Sequence, residues 1–157
     1  LRSARNAGIS VPLQTIDRAV SYVRRGQNSN DGGFRYRLGG GNSAFPRSAA
    51  GVASLYYAGV YQDEALSKGL EYLLRKKNKE AGQQFGHYYY GHYYAVQAMF
   101  LAGGRYWAEW FPWIRNELLN RQAAQGHWTS SHGEHYGTAM ALLILQVPNR
   151  LLPIFQR

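Results

Sequence analysis

Apolar residues recur along this chain at intervals of three and four, and Gly and Pro interrupt the pattern. Ile16, Ala19, Val20 and Val23 follow Pro12 at helical spacing, which predicts a helix over about 12–26. Gln27 to Asn42 is rich in Gly and reads as a loop. Pro46 opens a second helix, small and apolar, through Ala49, Ala53, Leu55 and Tyr56 to a stop at Gly59. A third begins near Asp63, with Leu66, Leu70, Leu73 and Leu74 on one face and charge on the other. Ala81 to Tyr88 is expected to be a loop. A fourth helix runs from about Tyr89 through Val96, Met99 and Phe100 to Gly103-Gly104. A fifth spans about Tyr106 to Ala123, with Pro112 either bending it or marking its first turn. A sixth runs from Tyr136 to Gln146, ended by Pro148, and the apolar tail Leu151 to Phe155 is expected to pack back on the helices. No strand alternation appears, so the predicted class is all-α.

The predicted helices fall into three helix–loop–helix units, over about 12–59, 63–103 and 106–147, making one domain of residues 1–157. Their second helices superpose. Gly51 to Gly59 reads against Ala95 to Gly103, and Tyr136 to Leu142 reads against Tyr93 to Met99, a period of about 43–50 residues that suits a helical repeat array. First helices carry a charged face, whereas second helices are nearly uncharged. That division predicts an outer layer in contact with water and an inner, buried one. Two loops share a further pattern. Gln122-Ala123-Ala124-Gln125-Gly126-His127-Trp128 has a Gln, a Gly and an aromatic residue two positions after the Gly. Gln27 to Phe34 is a looser version of the same arrangement. An aromatic ring on such a turn plugs the end of a helix pair, and the Gln amide bonds backbone groups that the helix ends leave unpaired.

Composition narrows the function classes. Lys and Arg number 18 against 9 Asp and Glu, a net charge of +9. The basic residues are scattered, and the one dense run, Arg75-Lys76-Lys77-Asn78-Lys79, sits at a predicted helix C-terminus, where cations suit the helix dipole. A basic, solubilising surface is the simpler reading, and no nucleic-acid partner is expected. No apolar run is long enough to span a bilayer. The absence of Cys excludes disulfides and thiolate metal sites. The chain begins at Leu1 rather than Met, which reads as the C-terminal part of a longer protein.

The Gln122–Gly126–Trp128 pattern resembles the repeated Gln/Trp motif of squalene and oxidosqualene cyclases. Gln27 with Asp31-Gly32-Gly33-Phe34 resembles the repeat of protein prenyltransferase β subunits. With Tyr136-Gly137-Thr138-Ala139-Met140-Ala141-Leu142, the chain also resembles uncharacterised bacterial proteins carrying prenyltransferase/squalene-oxidase repeats. The resemblance implies an α/α toroid, of which three hairpins make about half of an (α/α)6 barrel. The enzymes' chemistry does not carry over with the fold. Squalene–hopene cyclases use the Asp of an Asp-x-Asp-Asp motif, and here Asp17, Asp31 and Asp63 stand apart. Where prenyltransferases place Asp-Gly-Cys-Tyr at their zinc site, this chain has Tyr90-Gly91-His92-Tyr93, and their Tyr-His-Thr is loosely echoed by Glu134 to Thr138. No catalytic residue, metal site or cofactor is therefore expected.

The ligand-binding candidates are Tyr89, His92 and Tyr93, with His132, Glu134, His135 and Tyr136 near a second inner-helix start. His92 and His135 occupy matching places, as a polar-ligand site at one barrel mouth or as ordinary helix-end residues; the lack of clustered carboxylates favours the latter. The aromatic set Tyr88, Tyr89, Tyr90, Tyr93, Tyr94 and Phe100 lines a pocket or packs a core. Trp107, Trp110 and Trp113 form a ridge on the fifth helix, buried against a neighbour or against an absent second half. The expected function is a non-catalytic binding or scaffold domain. The alternative is half of a terpenoid cyclase- or prenyltransferase-like enzyme that binds an isoprenoid-like apolar ligand. Expected partners are the rest of a parent chain or another protein, an apolar ligand, or a second copy at the open edge.

Overall fold

The computed structural model describes residues 1–81 and 87–151. Among them are seven α-helices: α1 (Arg2–Asn6), α2 (Leu13–Arg25), α3 (Phe45–Tyr57), α4 (Glu64–Ala81), α5 (Tyr88–Ala102), α6 (Gly104–Arg121) and α7 (Glu134–Leu145). A 3-10 turn at Val147–Asn149 follows α7. The all-α class holds, and α2 to α7 match the six expected helices closely. α1 is an addition, since Arg2-Ser3-Ala4-Arg5-Asn6 carries no apolar period. Most of the expected 81–88 loop and the tail beyond Leu151 lie outside the described residues. Leu151 itself is exposed.

Burial sorts the helices as their composition does. The nearly uncharged α3 and α5 are surrounded: α3 packs on α2, α4 and α5, and α5 packs on α3, α4, α6 and α7. Ala49, Val52, Ala53 and Leu55 of α3 meet Ala95, Val96, Ala98 and Met99 of α5 in one fully buried core. Small side chains along both helices permit this close approach. The charged helices α4 and α6 bury single stripes, Leu66, Leu70 and Leu73 on one and Trp110, Ile114 and Leu118 on the other. α4 and α6 are neighbours, and Lys77–Glu109 at 2.7 Å and Arg105–Glu71 join them. Such exposed pairs contribute at most ~1 kcal/mol each, so they select the neighbour more than they stabilise the fold. Pro112 lies inside α6 rather than at its start. Pro112 and Ala108 are both exposed, so water can take the carbonyl that the missing N–H releases. The Trp ridge is covered from within the chain: Trp110 is fully buried, and Trp107 packs edge-on against Phe100 of α5 at 5.1 Å.

The two Gln–Gly–aromatic loops share one hydrogen-bond pattern, the first with one more residue between Gln and Gly. In the first, Asn28 N donates to Gly33 O (2.7 Å), Gly32 N to Asn28 O (2.8 Å) and Gln27 Nε2 to Gly32 O (2.9 Å). In the second, Ala123 N donates to His127 O (2.9 Å), Gly126 N to Ala123 O (2.8 Å) and Gln122 Nε2 to Gly126 O (2.9 Å). Gly32 and Gly126 both hold a positive φ, +80° and +87°, which only Gly adopts without strain. The aromatic residue's backbone N–H is then fixed by a hydroxyl of the next helix: Phe34 N donates to Ser48 Oγ (2.8 Å) and Trp128 N to Thr138 Oγ1 (3.1 Å). Trp128 Nε1 donates to Leu118 O at 2.7 Å, one of the last-turn carbonyls that α6 cannot satisfy itself. Gln27 Nε2 also reaches Ala65 O of α4 (2.8 Å), tying the first turn to the neighbouring unit.

Gly137 in α7 shows how tightly the second turn seats. A Cβ there would lie 2.4 Å from Trp128 O, a backbone atom with little room to move. Helix propensity alone would make Gly137→Ala stabilising by ~1 kcal/mol. The expected result is the reverse, a loss of about 1–3 kcal/mol by urea denaturation, because the turn must shift.

Candidate functional site

The structure separates the expected site residues into three places. Tyr89, Tyr136 and His132 come together between the starts of α5 and α7. The Tyr89 and Tyr136 rings meet edge-on at 6.3 Å, and His132 meets Tyr136 at 5.3 Å. Tyr89 is buried and donates its hydroxyl to Thr129 O at 3.1 Å, a structural bond to the loop beneath. Glu134 faces His127 at 3.5 Å, and His135 is exposed. No group of three or more His, Asp or Glu residues among those described is arranged to hold a metal ion.

His92 is elsewhere. It is wholly buried among Tyr88, Phe45, Trp113 and Trp110, with ring centroids at 4.4, 5.0, 5.6 and 5.9 Å. Neither of its nitrogens has a hydrogen-bond partner among the described residues, nor have Tyr88 Oη and Trp110 Nε1. Burial pushes the His92 pKa down to about 3, and the charge of Arg121 adds to the shift. The ring is therefore neutral at physiological pH. It is packed rather than presented to a ligand.

Tyr93 turns to a third place, a cavity of about 890 Å3 bounded by α1, α2, α3 and α5. One wall is the aliphatic stripe of α2, Ile16, Ala19, Val20 and Val23, the same residues whose spacing marks that helix. Val20 and Val23 remain only half-buried because the cavity faces them. The opposite wall is Tyr90, Tyr93, Tyr94 and Gln97 of α5, at the same i, i+3, i+4, i+7 spacing. Tyr57 closes the floor, donating its hydroxyl to Gln97 Oε1, while Gln97 Nε2 donates to Tyr93 O at 2.8 Å. Burial raises the Tyr57 pKa, Tyr93 and Tyr94 raise it further, and Arg2 opposes them. The hydroxyl thus stays protonated and serves as a donor. Tyr90 and Tyr94, in the aromatic set singled out from sequence, do line a pocket. Tyr57 and Gln97 were not foreseen, since a Tyr next to Tyr56 and a lone Gln in apolar helices carry no distinguishing pattern.

No family model, curated protein or solved structure matches the chain.

Proposed function

We propose that this chain is a non-catalytic binding domain whose hairpins belong to an α/α toroid of the squalene cyclase/prenyltransferase kind, and that the cavity beside α5 receives a ligand with an apolar body. The observation that carries this reading is the cavity itself. Its size falls in the range of small-molecule sites, and it combines apolar and aromatic walls with a few fixed polar groups. The repeated Gln–Gly–aromatic turn supports the toroid, because it recurs at the outer-to-inner junction of two hairpins with matching hydrogen bonds. The enzyme alternative gains nothing from the lining, which among the described residues contains no Asp or Glu to serve as a general acid.

A neutral apolar fluorophore tests the reading. N-phenyl-1-naphthylamine should brighten on titration with the chain. Ser54, on the α3 side of the cavity and exposed to it, can be enlarged without disturbing the core. Ser54→Trp should leave the melting temperature near that of the parent chain and weaken probe binding at least tenfold. Equal binding by parent and variant would place the probe outside the cavity and refute the proposal.

A further inference from the structure

The cavity is electrostatically one-sided. Among the described residues its charged lining side chains are Arg2 and Arg5, both on α1. Neither guanidinium forms an ion pair with a carboxylate among those residues, although Arg24, Arg105 and Arg121 each do. Arg2 lies near enough to Tyr57 to oppose the rise in its pKa. A basic roof therefore faces an aromatic and aliphatic interior.

The interior makes no demand for a polar ligand body. The Tyr57 hydroxyl is paired with Gln97, and the Gln97 amide is paired with Tyr93 O. An apolar chain lying along this floor would leave none of these groups without a partner. The aliphatic stripe of α2 on one side and the rings of Tyr90 and Tyr94, 4.9 Å apart, on the other would cover such a chain. Unpaired guanidinium groups favour an oxyanion, and their planar fork matches a carboxylate.

We infer that the cavity takes an amphiphilic carboxylate, with an aliphatic body between α2 and α5 and its carboxylate on Arg2 and Arg5. This rests on the binding reading above and names the ligand class. It also assigns α1 a role as the element that brings the cationic groups over the cavity.

Titration calorimetry of the whole chain at pH 8 and low salt tests the inference, using dodecanoate, dodecanol and dodecyl phosphate below their micelle concentrations. Dodecanoate should bind at least tenfold more tightly than dodecanol. The pair Arg2→Gln with Arg5→Gln should remove that preference while N-phenyl-1-naphthylamine binds as before. Arg2→Lys with Arg5→Lys keeps the charge and should retain most of the preference. Equal affinity for dodecanoate and dodecanol in the parent chain would overturn the inference and leave the binding reading intact. So would a Gln pair that keeps the parent's preference, or dodecyl phosphate binding tenfold more tightly than dodecanoate. Failure of the naphthylamine to bind the parent chain would instead remove the binding reading on which the inference stands.

Discussion

Trp128→Ala should destabilise the fold by about 3–5 kcal/mol, the range for emptying a buried aromatic site. The ring is 3% exposed and belongs to the main core. Its Nε1 is also the partner of Leu118 O at the end of α6. Truncation would therefore leave a cavity and a helix-end carbonyl that must find water. Trp128→Phe fills most of the space but cannot donate, so it should cost less than Ala. Chemical denaturation of the three chains separates the two contributions. A Trp128→Ala chain that unfolds at the parent's denaturant midpoint would contradict the role of this turn as a structural plug.

His92 should make the fold sensitive to acid. Its pKa in the folded chain lies below the ordinary value of about 6.5 expected when unfolded, so the unfolded state takes up the proton first. Stability is then at its full value above about pH 6.5 and falls as the pH drops from there toward about 3. The slope expected from this one group is on the order of 1 kcal/mol per pH unit. His92→Leu removes two buried nitrogens that lack partners, so the variant should be at least as stable as the parent at pH 7 and lose less stability between pH 6.5 and 4.5. Melting temperatures across that interval provide the comparison. Parallel pH profiles would show that His92 does not govern the acid response.

α2, α4 and α6 were legible in the sequence because each presents one apolar stripe, and an apolar stripe at spacing three and four has few other readings. The Gln–Gly–aromatic turns were legible for a different reason. Positive φ at Gly32 and Gly126 and the fixed offset to Phe34 and Trp128 leave a local signature that does not depend on distant contacts. α1 left no such trace, since its residues carry no apolar period and none is buried. The site was legible only in pieces. α5 is aromatic around much of its circumference, so sequence alone could not say that Tyr89 and His92 turn into the core while Tyr90, Tyr93 and Tyr94 turn to the cavity. That division is made by which neighbours arrive: Trp110 and Trp113 of α6 meet His92, whereas α2 stops short of α5 and leaves space. His132, Glu134 and His135 looked alike as a polar cluster at the start of α7. The structure pairs the first with Tyr136 and the second with His127, and leaves the third exposed.

The central claim is that the space between α2 and α5 is a ligand site. Nuclear Overhauser contacts from bound N-phenyl-1-naphthylamine to the chain test it most directly. The account predicts contacts from the naphthyl protons to the Tyr93 and Tyr94 rings and to the Val20 methyl groups, all of which line the cavity. Contacts confined to His132, Tyr136 or exposed leucines such as Leu142, with none to Val20 or Tyr94, would contradict it.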